Sequence, residues 1–155
     1  MTTPRKLAFG LAFALSALLS GCHAGAGNDN NHAASSAETM GLDVVGYNHT
    51  DNSIGSFSVN GQGGSFLARH EGGGGFTCCV TLPAKYTPGL AVTVTWTDTY
   101  GEHPQSRVVA VPPFERKDAG MFAVHFLRDG QIKVFVTMYG PRHPDYPLKD
   151  DEAKM

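Results

Sequence analysis

From about residue 41 onward the apolar residues of this chain come in short runs, broken again and again by glycine, proline or polar turns. Leu90–Thr99 is the cleanest of them. Val92, Val94 and Trp96 fall on one side of an extended segment and Thr93, Thr95 and Thr97 on the other. A period of two is the signature of a half-buried strand, and β-branched and aromatic residues suit a pleated surface. Trp96 is expected in the core.

The other runs read the same way. Leu42–Tyr47 and Ile54–Val59 flank the polar turn 48–52, and Asn60–Gly64 forms the next break. Ser65–Arg69 is a short candidate strand, and the glycines 72–75 open a loop before Phe76–Leu82. Gln105–Val111, Met121–Leu127 and Ile132–Tyr139 complete the set. Asp129-Gly130 sits between the last two, where a type I′ turn would need positive φ at both positions. An antiparallel all-β domain follows, a sandwich or small barrel of about seven strands. It is expected over residues 41–140, with 141–155 as a proline-rich, charged surface tail.

The first 40 residues are of another kind. Arg5 and Lys6 precede an apolar segment, Leu7 to Leu19, which ends in Ser20-Gly21-Cys22. A charged start, a short apolar stretch and small residues at the end make a secretory leader, here 1–21. The stretch is shorter than the ~20 residues that span a bilayer. With Cys22 next, Leu19-Ser20-Gly21-Cys22 resembles the lipobox of bacterial lipoproteins. That resemblance implies acylation of Cys22 and cleavage before it. Two or more acyl chains anchor stably, where one gives a binding constant of only about 10⁴ M⁻¹. Such lipoproteins often carry aspartate after the cysteine when kept at the inner membrane. His23 stands there, which implies the outer membrane, facing the periplasm.

Residues 22–40 are rich in Ala, Gly, Asn and Ser and lack periodicity, so they read as a flexible tether with a reach near ~23 Å. Loss of the leader takes the basic residues from 12 to 10 against 14 acidic ones, a net charge of −4. A mildly acidic chain without a basic cluster is poorly suited to nucleic acid, whose phosphates are held by Lys and Arg.

Candidate chemistry is sparse. Cys78 and Cys79 are adjacent, and the periplasm is oxidising. Neighbouring Cα atoms lie about 3.8 Å apart, below the usual disulfide range of about 4.4–6.8 Å. A vicinal bridge would distort the strand; reduced thiols or an intermolecular bond are the alternatives. His49, Asp51, His70, Glu71, His103 and His125 have no recognised metal spacing. His125 alternates with Val124 and Phe126 and reads as a strand histidine with satisfied hydrogen bonds. Asn48 and Asp51 are explained by turn chemistry. The glycine loop is followed by a strand pattern rather than a helix, so it is no phosphate cradle. No G-x-S-x-G elbow is present. No catalytic residue, metal or cofactor is expected.

Gly46-Tyr47-Asn48-His49-Thr50, Ser58–Gly64 with its Asn-Gly-Gln-Gly-Gly core, Gly72–Gly75 and Cys78-Cys79 together resemble a proteobacterial lipoprotein family of unknown function. The likeness covers about residues 41–139. Some members are proposed as immunity proteins to type VI secretion lipase effectors. The resemblance therefore implies a membrane-anchored protein-binding module, not an enzyme, with a secreted lipase toxin as partner. Tyr47, Asn48, His49, Thr50 and Asp51, with Gly72, Gly73, Gly74 and Gly75, are the candidate contacts, since loops on rigid β scaffolds often carry binding. The alternative is a structural or accessory envelope lipoprotein with no toxin partner.

Overall fold

The computed structural model describes residues 38–73 and 75–155. The leader, Cys22, most of the tether and Gly74 lie outside the described residues. Two sheets pack as a sandwich. The strands are β1 (Thr39–Asn48), β2 (Phe57–Val59), β3 (Gln62–Gly63), β4 (Glu71–Gly72), β5 (Thr77–Pro83), β6 (Ala91–Trp96), β7 (Gln105–Ala110), β8 (Met121–Phe126) and β9 (Ile132–Thr137). Nine rather than about seven arise because β3 and β4 are two-residue pairings with no periodicity to announce them. No helix among the described residues is long and apolar enough to cross a membrane.

One sheet runs β4-β1-β8-β9, with β5 on the same edge of β1 as β4; the other runs β3-β2-β6-β7. All pairings are antiparallel except β1 with β8, which is parallel from Asp43↔Met121 to Asn48↔Phe126. The expectation of a wholly antiparallel fold is corrected at that one pairing. Parallel neighbours need a long crossover, and here the crossover contains the whole of the second sheet. β1 also begins at Thr39, so the last two residues assigned to the tether are strand, and Met40 packs on the core.

β1 and β8 are buried on both faces. Leu42 and Val44 of β1, with Phe122, Val124 and Phe126 of β8, point between the sheets toward Val59, Val92 and Val94. Val45 and Tyr47, with Ala123 and Leu127, point outward into a second cluster completed by Tyr146 and Leu148. Residues 141–155 are therefore not a surface tail, because Tyr146 and Leu148 seal the outer face. Trp96 holds the expected register but is only half-buried, meeting Phe126 edge-on at 5.8 Å.

The turns also differ from expectation. Only Gly130 of the Asp129-Gly130 pair has positive φ. Gly130 N–H donates to the Leu127 carbonyl and Leu127 N–H to the Gln131 carbonyl. That is a type I turn with a glycine bulge, which lets Asp129 Oδ1 accept from Gln131 N–H. Asn60 (φ 51°) and Gly61 (φ 77°) are both left-handed and join β2 to β3, so the I′ turn lies there.

Candidate functional site

Tyr47, Asn48 and His49 do not form an exposed turn, because β1 runs through Asn48 and the C-terminal segment covers it. Asn48 is fully enclosed. Its Nδ2 donates to the carbonyls of Asn52 and Ala68, and its Oδ1 accepts from Thr50 N–H and Oγ1–H. The asparagine thus holds the turn from inside. Of the five residues Tyr47–Asp51, Thr50 is half-buried and only Asp51 is fully exposed, where it meets His70 Nε2 at 2.9 Å.

His49 and His125, each 1% exposed, form a chain of hydrogen bonds with Tyr146. Tyr146 Oη lies 2.6 Å from His125 Nε2, His125 Nδ1 lies 2.8 Å from His49 Nε2, and His49 Nδ1 lies 2.9 Å from the Lys154 carbonyl. A carbonyl only accepts, so His49 Nδ1 carries hydrogen and its Nε2 accepts from His125 Nδ1–H. His125 Nε2 is then the acceptor for the Tyr146 hydroxyl. Every group is neutral and every nitrogen has a partner. Burial, and secondarily the neighbouring His49, pushes the His125 ring down to about 3. Burial lowers His49 as well, against the bond to Lys154, and burial raises Tyr146. Neither histidine keeps a free nitrogen for a metal or for proton transfer to a substrate.

This chain floors a cleft of about 700 Å³ between Gly72-Gly73 and the segment Gly140–Met155. Tyr47 stacks on His125, centroids 4.6 Å apart and 9° from parallel. Gly72 and Gly73 lie close against the Tyr47 ring. A Cβ on Gly72 would fall 2.6 Å from Tyr47 Cδ1 and 2.7 Å from the Gly46 carbonyl. Glycine is needed here for close approach, which brings two separate sequence motifs together in one wall. The C-terminal segment is also tied down by Arg128, which donates to the Asp151 and Lys154 carbonyls, and by the Lys133–Glu152 ion pair.

The far side of the loop is a surface. Ser65 Oγ lies 3.9 Å from where Gly75 would carry a Cβ, so segments 63–66 and 75–77 run side by side. They present Phe66, 54% exposed, and Phe76, 66% exposed. Neither ring is among the candidate contacts that the sequence suggests. The signal was aromatic residues closing glycine-rich breaks, where a strand-facing register gives them no core partner.

Cys78 and Cys79 are joined in a vicinal disulfide. Leu42 pairs Val80 and Val44 pairs Thr77, so the two cysteines oppose the single residue Asp43. The strand takes up the bridge as a β-bulge at the edge of the sheet. The Asp43 carboxylate lies 3.7 Å from Cys79 Sγ, which as a disulfide sulfur has no hydrogen to donate. Asp98, Glu102 and His103 form the other grouping of metal-ligand type among the described residues. His103 Nδ1 is there bonded to Asp98 Oδ2 at 2.7 Å, in an exposed loop.

Residues 47–134 match the model of a family described as "Protein of unknown function (DUF3304)". The matched span runs from Tyr47 to β9 and takes in His49, the glycine loop, the cysteine pair and His125. No curated protein and no solved structure matches the chain.

Proposed function

The chain belongs to the DUF3304 family, and we propose that it is an outer-membrane lipoprotein, anchored through Cys22 and facing the periplasm, whose sandwich binds and inhibits a phospholipase effector of the type VI kind. The observation that carries the binding reading is the pair Phe66 and Phe76, both exposed, on segments that run beside each other next to the glycine stretch. Large aromatic residues on a rigid scaffold are typical anchors of protein interfaces, and truncating such an anchor costs about 2 kcal/mol or more. Two rings do not make an interface of about 800 Å² per partner by themselves. The neighbouring Ser65, Glu71, Gly73 and Gly75 are exposed too and extend the patch.

Inhibition by covering a toxin's cleft needs no catalytic group on the inhibitor. The His49–His125–Tyr146 chain is neutral and fully bonded, and the binding reading asks nothing catalytic of it. The lipid anchor supplies the rest of the mechanism. A phospholipase must come to the bilayer, and a tethered inhibitor is concentrated there. The test is capture: the chain carrying Cys22→Ser, exported by an ordinary signal, is immobilised and challenged with the secreted phospholipases of its own strain. Retention of one of them supports the reading. Retention of none favours an accessory envelope lipoprotein without a toxin partner.

A further inference from the structure

We propose that the cleft between Gly72-Gly73 and the C-terminal segment binds a carboxylate with an aliphatic chain. This does not depend on the toxin reading, because Tyr47 and Arg142, which carry it, are not part of the Phe66–Phe76 patch, which meets the cleft only at Gly73.

The starting point is Tyr47. It is only 6% exposed, and its ring packs against His125 and the glycine loop. Its hydroxyl has no hydrogen-bond partner among the described residues. Yet no wholly shielded side-chain oxygen or nitrogen there lacks a partner. The phenol oxygen must therefore open onto the cleft that Tyr47 lines. Burial raises the Tyr47 phenol, so it stays a neutral donor. There it is a donor facing solvent, and a ligand oxygen placed in the cleft would take the place of its water.

The charge of Arg142 points to an anion. Arg142 lines the cleft and no aspartate or glutamate does; His143, which also lines it, has its Nδ1 occupied as the acceptor of Asp145 N–H. Arg142 makes no ion pair among the described residues. His125 and Tyr146 satisfy each other and so do not compete for the ligand. One guanidinium and one phenol suit a singly charged carboxylate, with the guanidinium able to take both oxygens. The remaining wall is largely apolar, from Pro141, Pro144, Leu148 and Met155, and would cover an alkyl chain rather than a sugar or a polar peptide. A volume of about 700 Å³ is that of a small-molecule pocket.

The experiment is a calorimetric titration of decanoate, below its micelle-forming concentration, into the exported Cys22→Ser chain, which carries no acyl chains of its own. Decanoate is expected to bind once per chain, and decan-1-ol at least tenfold more weakly. Tyr47→Phe keeps the stacked ring and Arg142→Gln changes an exposed side chain, so both variants should fold. Each should weaken decanoate roughly tenfold, the scale of one hydrogen bond to a charged group. Absence of binding at millimolar decanoate overturns the proposal. So does decan-1-ol binding as tightly as decanoate, or both variants binding decanoate like the parent.

Discussion

His49 Nε2 and His125 Nδ1 stand 2.8 Å apart inside the outer layer of the sandwich, and the Lys154 carbonyl at the far end sets which of them donates. Two imidazoles in that position cannot both be charged, and burial keeps both neutral. Unfolded histidines titrate near 6.5, whereas folded His125 is held at about 3 and His49 is also lowered. Below pH ~6.5 the unfolded chain takes up protons that the folded chain refuses. Stability should be whole above that pH and fall as the pH drops toward about 3, by up to ~1.4 kcal/mol per pH unit from His125, with His49 adding a loss of the same sign. Urea midpoints at pH 7.5 and 5.5, above the range of ordinary carboxylates, measure it. An unchanged midpoint contradicts the neutral chain, and His125→Gln should flatten the slope.

Tyr146→Phe removes the donor to His125 Nε2 and leaves a buried acceptor without a partner. The expected loss is about 1–3 kcal/mol in chemical denaturation. Ending the chain after Gly140 should cost more, since it uncovers Val45, Tyr47, Ala123 and Leu127 together. That truncated chain is expected to aggregate when expressed, as an apolar face without its cover does.

Gly72→Ala places a methyl 2.6–2.7 Å from Tyr47 Cδ1, Tyr47 Cα and the Gly46 carbonyl, so β4 must lift from β1. About 1–3 kcal/mol of destabilisation is expected, the usual cost of overpacking. Gly75→Ala meets nothing closer than 3.9 Å and serves as the control, with thermal unfolding as the measurement. Equal melting temperatures for the two variants would place the glycine requirement elsewhere.

These residues also show how far the sequence could be read. The strict alternation of Leu90–Thr99 announced β6 and its inward face, because a half-buried strand writes its environment into every second residue. Val44-Val45 and Phe122–Phe126 break that alternation, since both faces of β1 and β8 are covered. Unbroken apolar runs of that kind call for a second covering layer. The layer was hidden in a proline-rich, charged segment whose two apolar anchors, Tyr146 and Leu148, show no periodicity. The relay was invisible for the same reason: His49, His125 and Tyr146 are brought together by the β1–β8 pairing and the final segment, not by spacing. The cysteine pair was legible as a question, and its answer depended on a register that places both residues opposite Asp43.

Cys22→Ser should abolish incorporation of labelled palmitate and release the protein from membranes. Its affinity for a toxin should not change, because the patch lies in the sandwich. Protection of cells should nonetheless fall at low expression, since localisation can multiply apparent affinity by about 10²–10⁴. Palmitate still incorporated after the substitution would remove the anchor from the account.

The binding surface itself is tested by a titration. The phospholipase effector retained by the Cys22→Ser chain is titrated with that chain and with the same chain carrying Phe66→Ala and Phe76→Ala. Both rings are exposed, so the doubly substituted chain should unfold at the same temperature as its parent. Loss of two aromatic anchors at about 2 kcal/mol or more each should weaken the dissociation constant by roughly a thousandfold. An unchanged dissociation constant for a folded variant would contradict the placement of the interface beside the glycine loop.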